Sequence, residues 1–151
     1  MTTNKQILKD VGEDLIKEID ARLSSKNINN TNQASDSLKE VSTNNNLKIK
    51  GVGYIRFIDV GRKPGKFAPV DVIQEWVRTK LGIQDEKEVK QVAFLVNRKL
   101  AVKGNRMFLD KSKGLQLDEI IEMGIEKINE AITDNIVLTV KSEIKTIMQG
   151  I

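Results

Sequence analysis

An α+β fold is expected for this chain: a small antiparallel meander of three strands packed against about four helices. Three observations predict it. Apolar residues recur at three- and four-residue steps in four long stretches. Between the first and second of these lie short β-prone runs separated by asparagines. The chain has 151 residues, 39% of them hydrophobic and 30% charged, which is one domain's worth and enough to bury a core. Residues 1–151 are therefore read as a single domain.

Residues 4–26 predict an amphipathic helix. Ile7, Leu8, Val11, Leu15, Ile16, Ile19 and Leu23 make its apolar face. Gly12 interrupts that helix at about 1 kcal/mol relative to Ala. Residues 27–37, rich in Asn, Ser and Thr and without apolar periodicity, read as a mobile polar loop. The runs 38–41 and 47–50 flank residues 42–46 as a hairpin, because Asn tolerates the left-handed conformations of tight turns. The imperfect alternation from Val52 to Val60 supplies the third strand.

Pro69 suits the start of a helix. Val70, Ile73, Trp76, Val77 and Leu81 then form one face, and Gly82 is a good stop. Trp76, the only tryptophan, accordingly reads as a core anchor, with Trp76→Ala costing roughly 3–5 kcal/mol if it is buried. Asp85 is a candidate N-cap with Glu88 at the capping-box position. Val89, Val92, Ala93, Val96, Leu100 and Ala101 line the next helix, which Gly104 ends, and residues 105–114 form a basic loop. A long helix begins near Leu117 with Ile120, Ile121, Gly124, Ile125, Ile128 and Ile132 inward. Beyond Asp134 the alternation of Ile136, Leu138 and Val140 suits a strand. Val137, Val140, Ile144, Ile147 and Met148 suit a helix better, with Asn135 as a break.

Composition narrows the chemistry. The chain has no Cys and no His. Thiolate and imidazole metal sites, disulfides, Cys nucleophiles and Ser-His-Asp triads are excluded, and no calcium-loop spacing occurs. Asp71, Glu75, Asp85, Glu86 and Glu88 fall at helix starts and on solvated faces, where helix-dipole stabilisation accounts for them. Neither an enzyme nor a cofactor, metal or catalytic residue is expected. No apolar run reaches the roughly 20 residues of a membrane span, and no signal peptide is read at the start, so synthesis in a cytoplasm is expected.

The net charge of +4 is unevenly placed. Residues 1–47 hold six Lys and Arg against seven Asp and Glu, a net of −1; residues 48–113 hold sixteen against seven, +9; residues 114–151 hold three against seven, −4. Such polarity fits nucleic-acid binding or head-to-tail self-association.

The segment with most character is Gly61-Arg62-Lys63-Pro64-Gly65-Lys66, reached from an apolar run and followed by Pro69 and a helix. It fails as a phosphate loop: three residues separate its glycines where four are needed, and Phe67 stands where a hydroxyl residue would bind magnesium. It reads instead as a rigid, cationic interaction loop. With Tyr54, Phe57 and Trp76 assigned to the core, a base-stacking platform is not expected, though backbone contact with phosphates remains open. Arg98 and Lys99 read as a solvated or intersubunit face.

Residues 53–104 resemble the neck or tail-completion type of head–tail connector protein of tailed bacteriophages. The resemblance rests on Gly53-Tyr54-Ile55-Arg56-Phe57, the 61–66 loop with Pro69, Ile73-Gln74-Glu75-Trp76-Val77, Lys80-Leu81-Gly82-Ile83, Ala93-Phe94-Leu95-Val96, Arg98-Lys99 and Lys103-Gly104. Ala68 stands where a second proline would be expected. The resemblance implies an N-terminal helix, a sheet, a Gly-Arg-x-Pro-Gly loop and closing helices. It also implies a non-enzymatic virion component, with six or twelve copies closing a ring that joins portal to tail. Its partners would be itself, the portal and other neck or tail proteins, and DNA passing through the lumen without sequence-specific binding. The alternative is a nucleic-acid-binding protein that uses the basic central segment.

Overall fold

The computed structural model describes residues 2–28 and 32–149. Among them are seven α-helices, one 3-10 turn and one two-stranded hairpin. The chain divides into two compact units. One takes residues 1–20, 38–51 and 117–151; the other takes residues 21–37 and 52–116.

The first unit is built on α1 (Asn4–Ser25), whose last residues belong to the other unit. Ile7, Leu8, Val11, Leu15 and Ile19 are buried, as the apolar stripe predicts. Strands β1 (Lys39–Ser42) and β2 (Leu47–Lys50) pair antiparallel from Lys39 opposite Lys50 to Ser42 opposite Leu47. The hairpin explains Gly12: a Cβ there would lie 2.6 Å from Glu40 Cγ and from Leu47 Cδ1. The helix accepts a poor helix former because the hairpin approaches it at that point. Helix α7 (Leu117–Gln149) meets α1 where a Cβ on Gly124 would lie 2.7 Å from Leu15 Cδ1. Lys127 Nζ donates to Asp14 Oδ2 at 3.1 Å, and Asn135 Nδ2 donates to the Thr2 carbonyl at 2.9 Å. Asn135 thus ties α7 to the start of the chain and does not break it. The helix reading of residues 135–148 holds, and α7 is continuous to Gln149.

The second unit corrects the sheet. No third strand follows β2 among the described residues; residues 55–60 form helix α3 (Ile55–Val60). The chain turns at Gly53-Tyr54, with the Phe57 and Ile58 amides donating to the Tyr54 carbonyl at 2.8 and 3.2 Å. Two half-buried isoleucines at a three-residue step, Ile55 and Ile58, fit one face of a short helix, and the apparent period of two was incidental. Among the described residues the fold is therefore mainly helical with a single hairpin, and it has more helices than the four expected.

Helix α4 (Val70–Leu81) packs on α5 (Glu86–Lys103). Ala68, Ile73, Val77, Val89 and Ala93 form the buried cluster, with Ile83, Val92, Val96 and Leu100 packed against it. Gly82 adopts the left-handed conformation that stops α4, and the Asp85 side chain caps α5 by accepting from the Glu88 amide at 2.8 Å. The basic loop expected at 105–114 is ordered as α6 (Arg106–Leu109) and a 3-10 turn (Lys111–Lys113). Of the polar segment 27–37, residues 29–31 lie outside the described residues. Residues 33–36 form α2 (Gln33–Asp36), with Ala34 buried, where the sequence reads as loop. Among the described residues no helix is long and apolar enough to cross a membrane.

Candidate functional site

The 61–66 loop is held by the turn between α5 and α6. Gly61 has φ +77°, and a Cβ on it would collide with the Phe108 amide nitrogen, so only glycine fits. Asn105 is the hub. Its Oδ1 accepts from the Arg62 amide at 2.9 Å and from the Phe108 amide at 3.0 Å, while its own amide donates to the Arg62 carbonyl at 3.0 Å. The Gly65 amide donates to the Ala101 carbonyl at 2.9 Å, and Arg62 Nη2 donates to the Lys66 carbonyl at 2.9 Å. The loop is therefore fixed, as its prolines suggest, and Asn105 is the residue that sequence reasoning missed. What precedes it is α3, so the strand–loop–helix order of a phosphate loop is absent as well as its spacing.

A second clamp holds the chain just beyond the loop. Asn97, 2% exposed, accepts from the Ala68 amide at 2.7 Å and donates to the Ala68 carbonyl at 2.8 Å. The side chain thus satisfies both polar groups of one buried residue's backbone. A signal for it was present: Val89, Ala93 and Asn97 stand at successive four-residue steps on one helix face. A third clamp uses cations from the end of α1. Arg22 donates to the Leu115 carbonyl at 3.0 Å, and Lys26 Nζ donates to the carbonyls of Ser112 and Gly114 at 2.8 and 2.5 Å. Beside it, the Asp110 carboxyl is held below its usual range by hydrogen bonds from the Ser112 hydroxyl and amide, with the charges of Lys113 and Lys26 adding to them.

The anchor expected at Trp76 is corrected. Trp76 is 38% exposed and stands outside the buried cluster. Only Ile73 and Val77 of its helix are buried, so the part of the apolar stripe carrying Val70, Trp76 and Leu81 is left open. Trp76 lines a cavity of about 620 Å³ with Ile73, Val96, Leu100, Met107 and Leu109.

The loop itself borders a groove of about 730 Å³ that five cations line: Arg56, Arg62, Lys63, Lys66 and Lys111. Among the described residues no carboxylate lines it, and Phe57, Val60 and Phe108 supply its apolar surface. Phe57 is 61% exposed and Tyr54 is exposed too, so the expectation that these two rings are core residues fails as it does for Trp76; Phe108, in the segment read as a basic loop, is also exposed. The short α3 buries none of its residues. The site is thus a fixed, positively charged and partly aromatic surface on unit two. Arg98 and Lys99 are exposed, as expected for a solvated face. Among the described residues no group of three carboxylates gathers as a metal site. The chain gives no match to protein-family models, to curated proteins or to solved structures.

Proposed function

We propose that this chain is a self-assembling structural subunit, a head–tail connector of a tailed bacteriophage that closes a ring of six or twelve copies between portal and tail. The observation that carries the proposal is the end of α7. From Ile136 to Met148 its large apolar side chains Ile136, Val137, Leu138, Val140, Ile144, Ile147 and Met148 are between 42% and 72% exposed. A contiguous apolar surface of this kind marks a protein interface. Phe67, Phe94, Leu95 and Val102 add exposed apolar surface on the other unit. The fixed 61–66 loop supplies a rigid edge, and the +9 and −4 segments favour a head-to-tail contact, which makes a ring when its rotation closes. The resemblance, which places an N-terminal helix and a small sheet before the Gly-Arg-x-Pro-Gly loop and helices after it, supports the same reading, although α2 and α3 are additional to that order. DNA would pass through the lumen without base-specific contact, and the protein would reside in the neck of the virion.

Imaging the purified chain alone and with portal particles tests this. Closed rings, free or on the portal, are the expected result. A subunit that neither closes nor docks overturns it. The second reading, nucleic-acid binding, is favoured by the cationic groove with its exposed Phe57 and Phe108, since cations beside aromatic rings suit single strands. Coating of bare DNA with a steep salt dependence would put that reading first.

A further inference from the structure

We propose that the cationic groove beside the 61–66 loop is the seat for α7 of a second copy, held through a ladder of carboxylates on that helix. This rests on the self-assembly reading and names its contact. The first half of α7 carries Asp118, Glu122, Glu126, Glu130 and Asp134, each four residues from the next. At that spacing the side chains lie one above another on the helix surface, and like charges there repel. All five are exposed, and among the described residues none has a cation within ion-pair distance. Lys127, the one cation between the ends of the ladder, is committed to Asp14.

The helix tolerates this unrelieved row, and the same chain carries its counterpart. Among the described residues the groove brings five cations together without a carboxylate. None of the five has an ion pair among the described residues, and the backbone that presents Arg62 is pinned by Asn105. The match extends to the apolar surface. Ile121 and Ile125, both exposed, each precede a ladder carboxylate by one residue, while Phe57 and Phe108 stand among the groove cations. Two surfaces of opposite sign on one chain, each with an apolar pair to bury, specify a heterologous contact that propagates from copy to copy. The charges orient the partners, and the rings and isoleucines exclude water around them.

The absence of native cysteine makes the test direct. In Lys66→Cys/Glu122→Cys, oxidation should produce dimers, trimers and higher multimers joined between the two positions, whereas either single variant should stop at dimers. A product cross-linked only within one chain, or none, overturns the proposal. Charge reversal provides an independent readout. Arg62→Glu/Lys66→Glu and Glu122→Lys/Glu126→Lys should each weaken self-association at least tenfold in sedimentation, and mixing the two should restore it. Each reversed groove then meets a reversed ladder, and each native groove a native one. Assembly unaffected by either reversal overturns the contact while leaving the self-assembly reading intact. A chain that fails to assemble and to cross-link under any condition removes both. If Arg62→Glu/Lys66→Glu instead abolishes binding of a fluorescent oligothymidylate and leaves assembly unchanged, the groove belongs to nucleic acid and the proposal is wrong.

Discussion

Asn97 stands on the buried face of α5, where a hydrocarbon would ordinarily be expected, and completes the hydrogen bonding of Ala68. Asn97→Leu keeps the volume but strands a buried N–H and a buried carbonyl. A loss of about 2–4 kcal/mol follows from the usual penalty for unpaired buried groups, measurable by urea denaturation. Asn97→Asp should do no better at neutral pH, because a carboxylate has no donor for the Ala68 carbonyl. Trp76 gives the opposite expectation. With more than a third of it open to solvent, Trp76→Ala should cost about 1 kcal/mol, well below the figure for a core tryptophan. Its emission, the only tryptophan signal of the chain, should be readily quenched by acrylamide. The two residues show why sequence reading misplaced Trp76 and passed over Asn97. Periodicity says which side chains share a face, but not how wide a strip the neighbouring helix covers. Trp76 falls at the uncovered margin of its stripe, and Asn97 falls at the centre of its own.

At the scale of elements, α1, α4, α5 and the start of α7 were legible as long periodic runs, with Gly82 and Asp85 marking the end of α4 and the start of α5, and the hairpin was legible from the asparagines between its strands. Residues 52–60 were not, since a short apolar run has no unique period and only the turn at Gly53-Tyr54 settles it. Most of the groove was likewise hidden: the loop's own cations could be read, but Arg56 and Lys111 join them only once α3 and the 3-10 turn are in place. The last turns of α7 run fourteen residues past Asn135, about 20 Å at the helical rise. A solitary helix of that length, rich in Ile and Val, is marginal in water. Amides 141–149 should therefore exchange much faster than those near Ile120 in dilute protein, and slow on assembly. Ile144→Asp/Ile147→Asp should change folding stability by less than about 0.5 kcal/mol, as surface changes usually do, yet prevent assembly. Within the same unit, the Lys127 hydrogen bond and charge hold the Asp14 carboxyl below its usual range. Its contribution to stability is fully present above the carboxyl's unfolded value and is lost as pH falls through the lowered folded one. Carboxyl NMR titration should show the depressed midpoint, and Lys127→Met should raise it.

For the whole molecule, the proposed assembly would divide its work between the charge split and the exposed apolar surface. Exposed ion pairs are individually weak and screened by salt, whereas apolar burial is not. Light scattering should therefore show assembly slowing as salt rises while the final particle mass changes little. A mass that collapses at moderate salt would mean that charge alone holds the copies together.

The two units are interleaved along the chain, and this bears on synthesis. The unit of residues 21–37 and 52–116 has all its residues once position 116 is made, but the other waits for α7. Its closing contacts join residues more than a hundred positions apart, Asp14 to Lys127 and Thr2 to Asn135. Until the final quarter of the polypeptide leaves the ribosome, the stripe of Ile7, Leu8, Val11 and Leu15 lacks the helix that helps to cover it. A chain halted before α7 therefore presents a sticky amphipathic helix to its surroundings, so nascent copies should depend on chaperones late in translation. Stop codons placed between residues 116 and 135 should yield insoluble product, even though they spare every residue of the unit that carries the groove.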